Sequence, residues 1–395
     1  MWLRKWLCLV LPLLVLFGCC MGFQQLIVSK PYMSFITHLI RFQSQDNIIV
    51  SPASFHDGLI HLLMGTRGSS AAEMMGTLQL NEQKLNEYLK KNISSKYIYN
   101  STLKMFNQLY VDRRMWLLDR YKQDINRYFN TKVEHMNFGS IDNTVDTING
   151  WIDKKTGEKV KDMLGWVDPE SQMVLVTALD FYGEWEKPFD PNQTTKEVFE
   201  TQQRNGGDDT PPSLVDMMHI KDKFSHGYIE KLCAYVIFLP YKKSNLSMVV
   251  LLPRDSNGLY YITRNIHEID LQELVPTEPP AEIELSFPRF KIEYRSDVSN
   301  IIKSMGIRKI FSNNANFSGL TRQEGLRLNQ FIHKIHILVD EGAHNASAAS
   351  ASVQLKKKLV KRSVAAQSFT VNHPFFFLIK DKKRIYVAGI VNRIP

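Results

Sequence analysis

The sequence predicts an α+β fold, and three observations carry that prediction. Helix-like segments lead and strand-like runs crowd the C-terminal half, with no regular strand–helix–strand alternation. The 395 residues are 44% apolar and 23% charged, a globular composition that excludes wholesale disorder and can bury a large core. Beyond the N-terminal leader no apolar run reaches membrane length, and no internal repeat is visible.

Residues 1–6 carry Arg4 and Lys5 and no acid. Residues 7–17 are apolar, and the small residues Gly18, Cys19, Cys20 and Gly22 follow. This order is that of a secretory signal peptide, with cleavage expected near residues 20–22. An apolar run of eleven residues interrupted by Pro12 is too short for a bilayer span of about 20 residues. Secretion is therefore expected, and length alone would suggest two or three domains in what remains. Cys8, Cys19 and Cys20 leave with the leader, and Cys233 is expected to be a lone, buried small hydrophobe in LCAYVIFLPY. Sequons at Asn92, Asn100, Asn192, Asn245, Asn316 and Asn345 fit an extracellular address.

Residues 34–42 read as an amphipathic helix and 47–50 as a short strand. Ser51-Pro52 opens the next helix, with Ser as cap and Pro in the first turn, and Gly65 can end it. Residues 82–97, 119–130 and 147–164 also look helical. Residues 105–111 look strand-like. Residues 173–179 (MVLVTAL) form a near-continuous apolar run, the pattern of a strand covered on both faces. Residues 204–213 are a turn-rich loop. Strands are then expected at 233–239, 246–252, 282–292, 328–339, 369–372, 375–379 and 385–391.

No nucleophile-elbow, zinc-helix, phosphate-loop or dinucleotide-fingerprint pattern occurs. His333 and His336 lie three apart on a strand and so face opposite sides, which is poor metal geometry. His56 and His61 do not share a helix face cleanly. Asp208-Asp209 sits in a loop and is most simply solvated. An enzyme is not expected, nor is a cofactor or a metal.

Residues 342–352 read GAHNASAASAS, and 353–363 read VQLKKKLVKRS with five basic residues. By composition alone this is a flexible linker with a solvated charge run. Its flanks argue otherwise, because a long Ala/Ser-rich stretch strung between two strong strands is uncommon and usually functional.

Those flanks resemble the serpin family. NIIVSPASF at 47–55, ALDFYGEWEKPFDPNQT at 178–194, IHKIHILVDEG at 332–342 and FTVNHPFFFLI at 369–379 occur in the family's order. The resemblance implies one domain over residues 23–395, with three β-sheets including a large central sheet A, about nine helices and an exposed reactive-centre loop at about 342–368. It implies inhibition of a serine protease: the loop is cut, and its N-terminal arm inserts as a new strand in sheet A. Alternate arm side chains then enter the core, which suits Gly, Ala and Ser. Ser51, Ser54, Thr177 and His333 match the polar cluster beneath the sheet opening. Trp185, Arg289 and Glu341 match the top of the arm, with Gly342, Ala343, His344 and Asn345 as hinge.

Counting forward from Glu341 puts the bait at Lys356 or Lys357, and counting back from Pro374 puts it near Arg362-Ser363. The scissile-bond candidates are Lys357, Lys358, Arg362 and Ser363. All the basic baits point to an extracellular trypsin-like protease. Three departures leave a non-inhibitory carrier, processed precursor or protease substrate open: Thr177 in place of the usual Asn, a shortened hinge bearing the Asn345 sequon, and a long loop. Lys90, Lys91 and Lys96 offer only a weak polyanion patch, and a monomer is expected. The formal charge of +9 falls to +7 without Arg4 and Lys5, and residues 356–362 hold five of those charges. The excess thus reads as protease recognition and not nucleic-acid or membrane binding.

Overall fold

A computed structural model describes residues 47–95, 102–201, 211–269, 274, 279–342 and 367–395. The leader, the helix expected at 34–42 and the segment 343–366 lie outside these residues.

In chain order the elements begin with β1 (Ile48–Val50), α1 (Pro52–Gly65), α2 (Gly68–Thr77), α3 (Glu82–Ser95) and β2 (Leu103–Asp112). Next come α4 (Asp119–Phe129), β3 (Val133–Met136), α5 (Ile141–Thr156), β4 (Met173–Tyr182), β5 (Thr195–Phe199) and β6 (Ser213–Ile229). They are followed by β7 (Ala234–Pro240), β8 (Ser247–Pro253), α6 (Leu259–Asn265), β9 (Ala281–Pro288) and β10 (Phe290–Asp297). The chain closes with α7 (Ser299–Ser304), β11 (Gln330–Val339), β12 (Gln367–Thr370), β13 (Phe375–Lys380) and β14 (Ile385–Val391). Seven α-helices are present among the described residues, against about nine expected.

The strands form a five-stranded sheet, β10-β11-β4-β2-β3, and a nine-stranded one, β1-β14-β13-β8-β7-β6-β9-β12 with β5 also on β6. The expected three sheets are present, because β6 belongs to two of them. Its residues 217–224 pair with β9, and its residues 225–229 pair with β7. β6, with 17 residues the longest strand among the described residues, is not evident from the sequence. Its charges are matched across strands, as in Lys196–Asp216 at 2.8 Å and Lys221–Glu284 at 2.6 Å, so no single-strand alternation shows.

Local chemistry explains the start of α1. The Ser51 side chain accepts from Ser54 N–H at 3.0 Å, and Pro52 occupies the first turn. Three sequence expectations need correction. The helix expected at 147–164 runs from Ile141 to Thr156, because Gly157 takes a left-handed conformation (φ +65°) that ends it. The run 282–292 is two strands in different sheets, broken at Arg289, whose N–H turns to donate to Asp216 O at 2.8 Å. Cys233 is exposed and not buried, because it caps the turn between β6 and β7 at φ +49°.

The five-stranded sheet is apolar on both faces. Leu179, Phe181, Ile335 and Ile337 pack against Met248, Phe287, Phe375 and Phe377 of the nine-stranded sheet. On the opposite face Val174, Val176, Ala178 and Ile332 pack against Ile148 and Ile152 of α5. The near-continuous apolar run of β4 follows from this double burial.

Candidate functional site

The site is the seam between β4 and β11. The two strands pair in parallel from Gln330↔Val174 to Leu338↔Tyr182, so the seam is closed along its length. The N-terminus of α1 lies against it.

Within the seam the sequence-predicted polar cluster assembles. Ser51 N–H donates to His333 Nε2 at 3.0 Å, so that nitrogen carries a lone pair. Burial holds the imidazole neutral, lowering its pKa to about 3. The remaining proton therefore sits on Nδ1, which lies 2.7 Å from Thr177 Oγ1. The Thr177 hydroxyl in turn donates to Ile332 O at 3.4 Å. A hydroxyl thus suffices here, because one acceptor and one donor satisfy this position. Ser54 contributes its backbone N–H to Ser51, while its buried hydroxyl has no hydrogen-bond partner among the described residues.

At the upper end of the seam Trp185 is buried and stacks on Tyr241 with ring centroids 4.5 Å apart. Its Nε1–H donates to Asp340 O at 2.8 Å. Glu341 Oε1 accepts from Thr194 at 2.9 Å, while Arg289 reaches Glu341 Oε2 only at 3.9 Å and is half exposed. Thr194 is therefore the closer partner. Gly342 is buried at φ +68°, and a Cβ there would lie 2.8 Å from the Trp185 ring. Glycine is needed at this point on both counts.

The predicted hinge residues Ala343, His344 and Asn345 and the bait candidates Lys357, Lys358, Arg362 and Ser363 lie outside the described residues. Of the sequons, Asn192, Asn245 and Asn316 are exposed, Asn92 falls within α3, and Asn100 and Asn345 lie outside. Lys90 and Lys91 are exposed on α3, and Lys96 lies outside.

Sequence reasoning missed one pair in the seam. His336 Nδ1–H donates to Asp180 at 2.8 Å, and both side chains are buried. They are partners across a parallel register, 156 residues apart in sequence, so no local signal could have joined them. His333 and His336 do face opposite sides of β11, toward α1 and toward α5.

The comparisons with known proteins agree with this architecture. The serpin (serine protease inhibitor) family model matches residues 32–394, and the chain belongs to the serpin family. It is 30% identical to serine protease inhibitor 42Dd of Drosophila melanogaster over 367 residues, covering 89% of this chain and 93% of that protein. It is also 30% identical to the leukocyte elastase inhibitor of Homo sapiens over 352 residues, covering 85% and 89%. In fold it is similar to human thyroxine-binding globulin, with a TM-score of 0.82 at 23% identity, covering 94% of this chain and 98% of that one.

Proposed function

We propose that this chain is a secreted inhibitor of a trypsin-like serine protease that acts by loop cleavage and strand insertion. The observation that carries the reading is the parallel β4–β11 seam, together with the segment that leaves its upper end at Gly342. A chain turning back from β11 runs antiparallel to β11, and therefore also antiparallel to β4. Insertion would replace one parallel pairing with two antiparallel ones, the more stable kind per residue. Each added ladder hydrogen bond contributes about 0.5–1.5 kcal/mol net. At about 3.3 Å per residue, a 15-residue arm carries its end, and an attached protease, about 50 Å.

The Ala and Ser residues from 343 to 352 suit a strand that enters between two packed faces. The bait follows among Lys357, Lys358, Arg362 and Ser363, with Lys357 first and Arg362 next. Its basic side chain would meet an acidic primary pocket. Secretion rests on the leader, and the protein acts as a monomer. Polyanion binding through Lys90, Lys91 and Lys96 is a minor addition.

A second reading, a non-inhibitory serpin, is favoured by the hinge. Gly342 follows Glu341 directly, and His344 and Asn345 come next, so one polar side chain would be buried on insertion. A glycan on Asn345 would block an inward register outright.

Mixing the protein with trypsin and running a denaturing gel separates the two. The inhibitor gives a covalent complex at the summed mass. Two fragments with fully active trypsin would contradict inhibition of trypsin.

A further inference from the structure

One row of side chains crosses the five-stranded sheet on its α5 face. Glu293 on β10 is registered opposite His336 on β11, His336 opposite Asp180 on β4, and Asp180 opposite Lys104 on β2. The row alternates acid, imidazole, acid and base; next to it on the same face lie Ala178 on β4 and Lys334 on β11. Its central pair spans the seam: His336 Nδ1 is 2.8 Å from Asp180 Oδ1, and both side chains are buried. Lys159, in the segment between α5 and β4, adds a third group at 3.9 Å from Asp180 Oδ2 and lies 5.6 Å from the Tyr182 ring centre. Two residues on, the carbonyl of Lys161 accepts from Lys334 of β11, which is also 3.7 Å from Glu293. The same segment is thus tied to both strands of the seam.

We propose that His336 and Asp180 form a clamp that sets the rate at which the five-stranded sheet opens. This rests on the reading that a loop arm inserts between β4 and β11. Neighbouring strands lie about 4.8 Å apart, so an inserted strand moves β4 and β11 to about 10 Å. A 2.8 Å hydrogen bond cannot span that gap. Residues 343–355 contain no acidic or basic side chain apart from His344, so the arriving arm brings no carboxylate to His336 and only neutral hydroxyl and amide groups in place of the pair. The clamp is therefore made in the closed state and lost on opening. It opposes insertion without contacting the loop or the protease, which makes the two residues positioning groups. Ser51, Thr177 and His333 act at the same seam from the other face, so opening breaks a buried polar contact on each side of the sheet.

The test is uptake of a synthetic peptide of residues 342–355 by the intact protein, followed on native gels. Asp180→Leu/His336→Leu is expected to take up the peptide about tenfold faster than wild type, and the isosteric Asp180→Asn about threefold faster, as for loss or weakening of one charge-assisted hydrogen bond in the barrier. The thermal midpoint of the loop-cleaved form should stay at the wild-type value, because the pair is already parted there. Rates within twofold of wild type, or equal falls in the midpoints of intact and cleaved forms, overturn the clamp. If wild type and variants alike take up no peptide, the insertion reading itself fails, and the clamp with it.

Discussion

The two sheets differ in strand direction and in what lines their centres. The nine-stranded sheet pairs antiparallel from β1 through β9 and is parallel only at β12. Its inner face is aromatic: Phe287, Phe375 and Phe377 have ring centroids within 5.9–6.3 Å of a neighbour, and the Phe377 ring fills the space a Cβ on Gly389 would need. The five-stranded sheet places a parallel pair at its centre and lines that pair with His333, Thr177, His336 and Asp180. The second is apolar on both faces as well, but its seam adds directional polar contacts, single hydrogen bonds that strand separation has to break. On the proposed reading, the molecule pairs a fixed scaffold with a sheet that opens.

The largest expected effect lies in the scaffold. Phe377→Ala should cost about 3–5 kcal/mol in urea unfolding through the cavity it leaves. It should lower the intact and loop-cleaved forms alike. A loss confined to the intact form would mean that the scaffold also rearranges, and would break the contrast.

Acid acts on the other side of the comparison. Burial holds His61 and His333 at about 3, and burial together with the Arg384 charge does the same for His56, all far below the ordinary 6.5. Two of the three lie on α1 and the third receives the Ser51 N–H beside it. The unfolded chain binds protons that the native chain refuses between these values. Stability is therefore full above about pH 6.5 and falls as pH drops toward 3, by roughly 2 kcal/mol per histidine between pH 7 and 5. His333→Gln should remove about one proton from the uptake on unfolding measured at pH 5. An unchanged pH slope would show that His333 is not held neutral at the seam.

Thr177→Val sharpens the comparison at its smallest scale. It removes the acceptor of His333 Nδ1–H and leaves that donor buried, at a cost of about 1–3 kcal/mol. The intact protein should lose this in urea titrations. No loss would mean that the hydroxyl does not carry the relay.

Much of this was legible in the sequence, for reasons that differ by position. The Ser51-Pro52 helix start is a local signal, and it held. The apolar run of β4 announced burial on both faces. The N-terminal half of β6 could not be read, because its charges are balanced by Lys196 and Glu284 on other strands. The exposure of Cys233 follows from a turn geometry that its apolar neighbours concealed. At the seam, Ser51, Thr177 and His333 were found through the serpin resemblance. Thr194, Tyr241 and the His336–Asp180 pair were not, since each depends on register between distant strands.

On the proposed reading, the five-stranded sheet accepts the loop arm as a new strand. The most direct test of this claim is the thermal midpoint before and after proteolytic cleavage within 343–366. Ten new ladder bonds at about 0.5–1.5 kcal/mol each predict a rise of roughly 10 °C or more. A midpoint that stays level or falls on cleavage would contradict the claim.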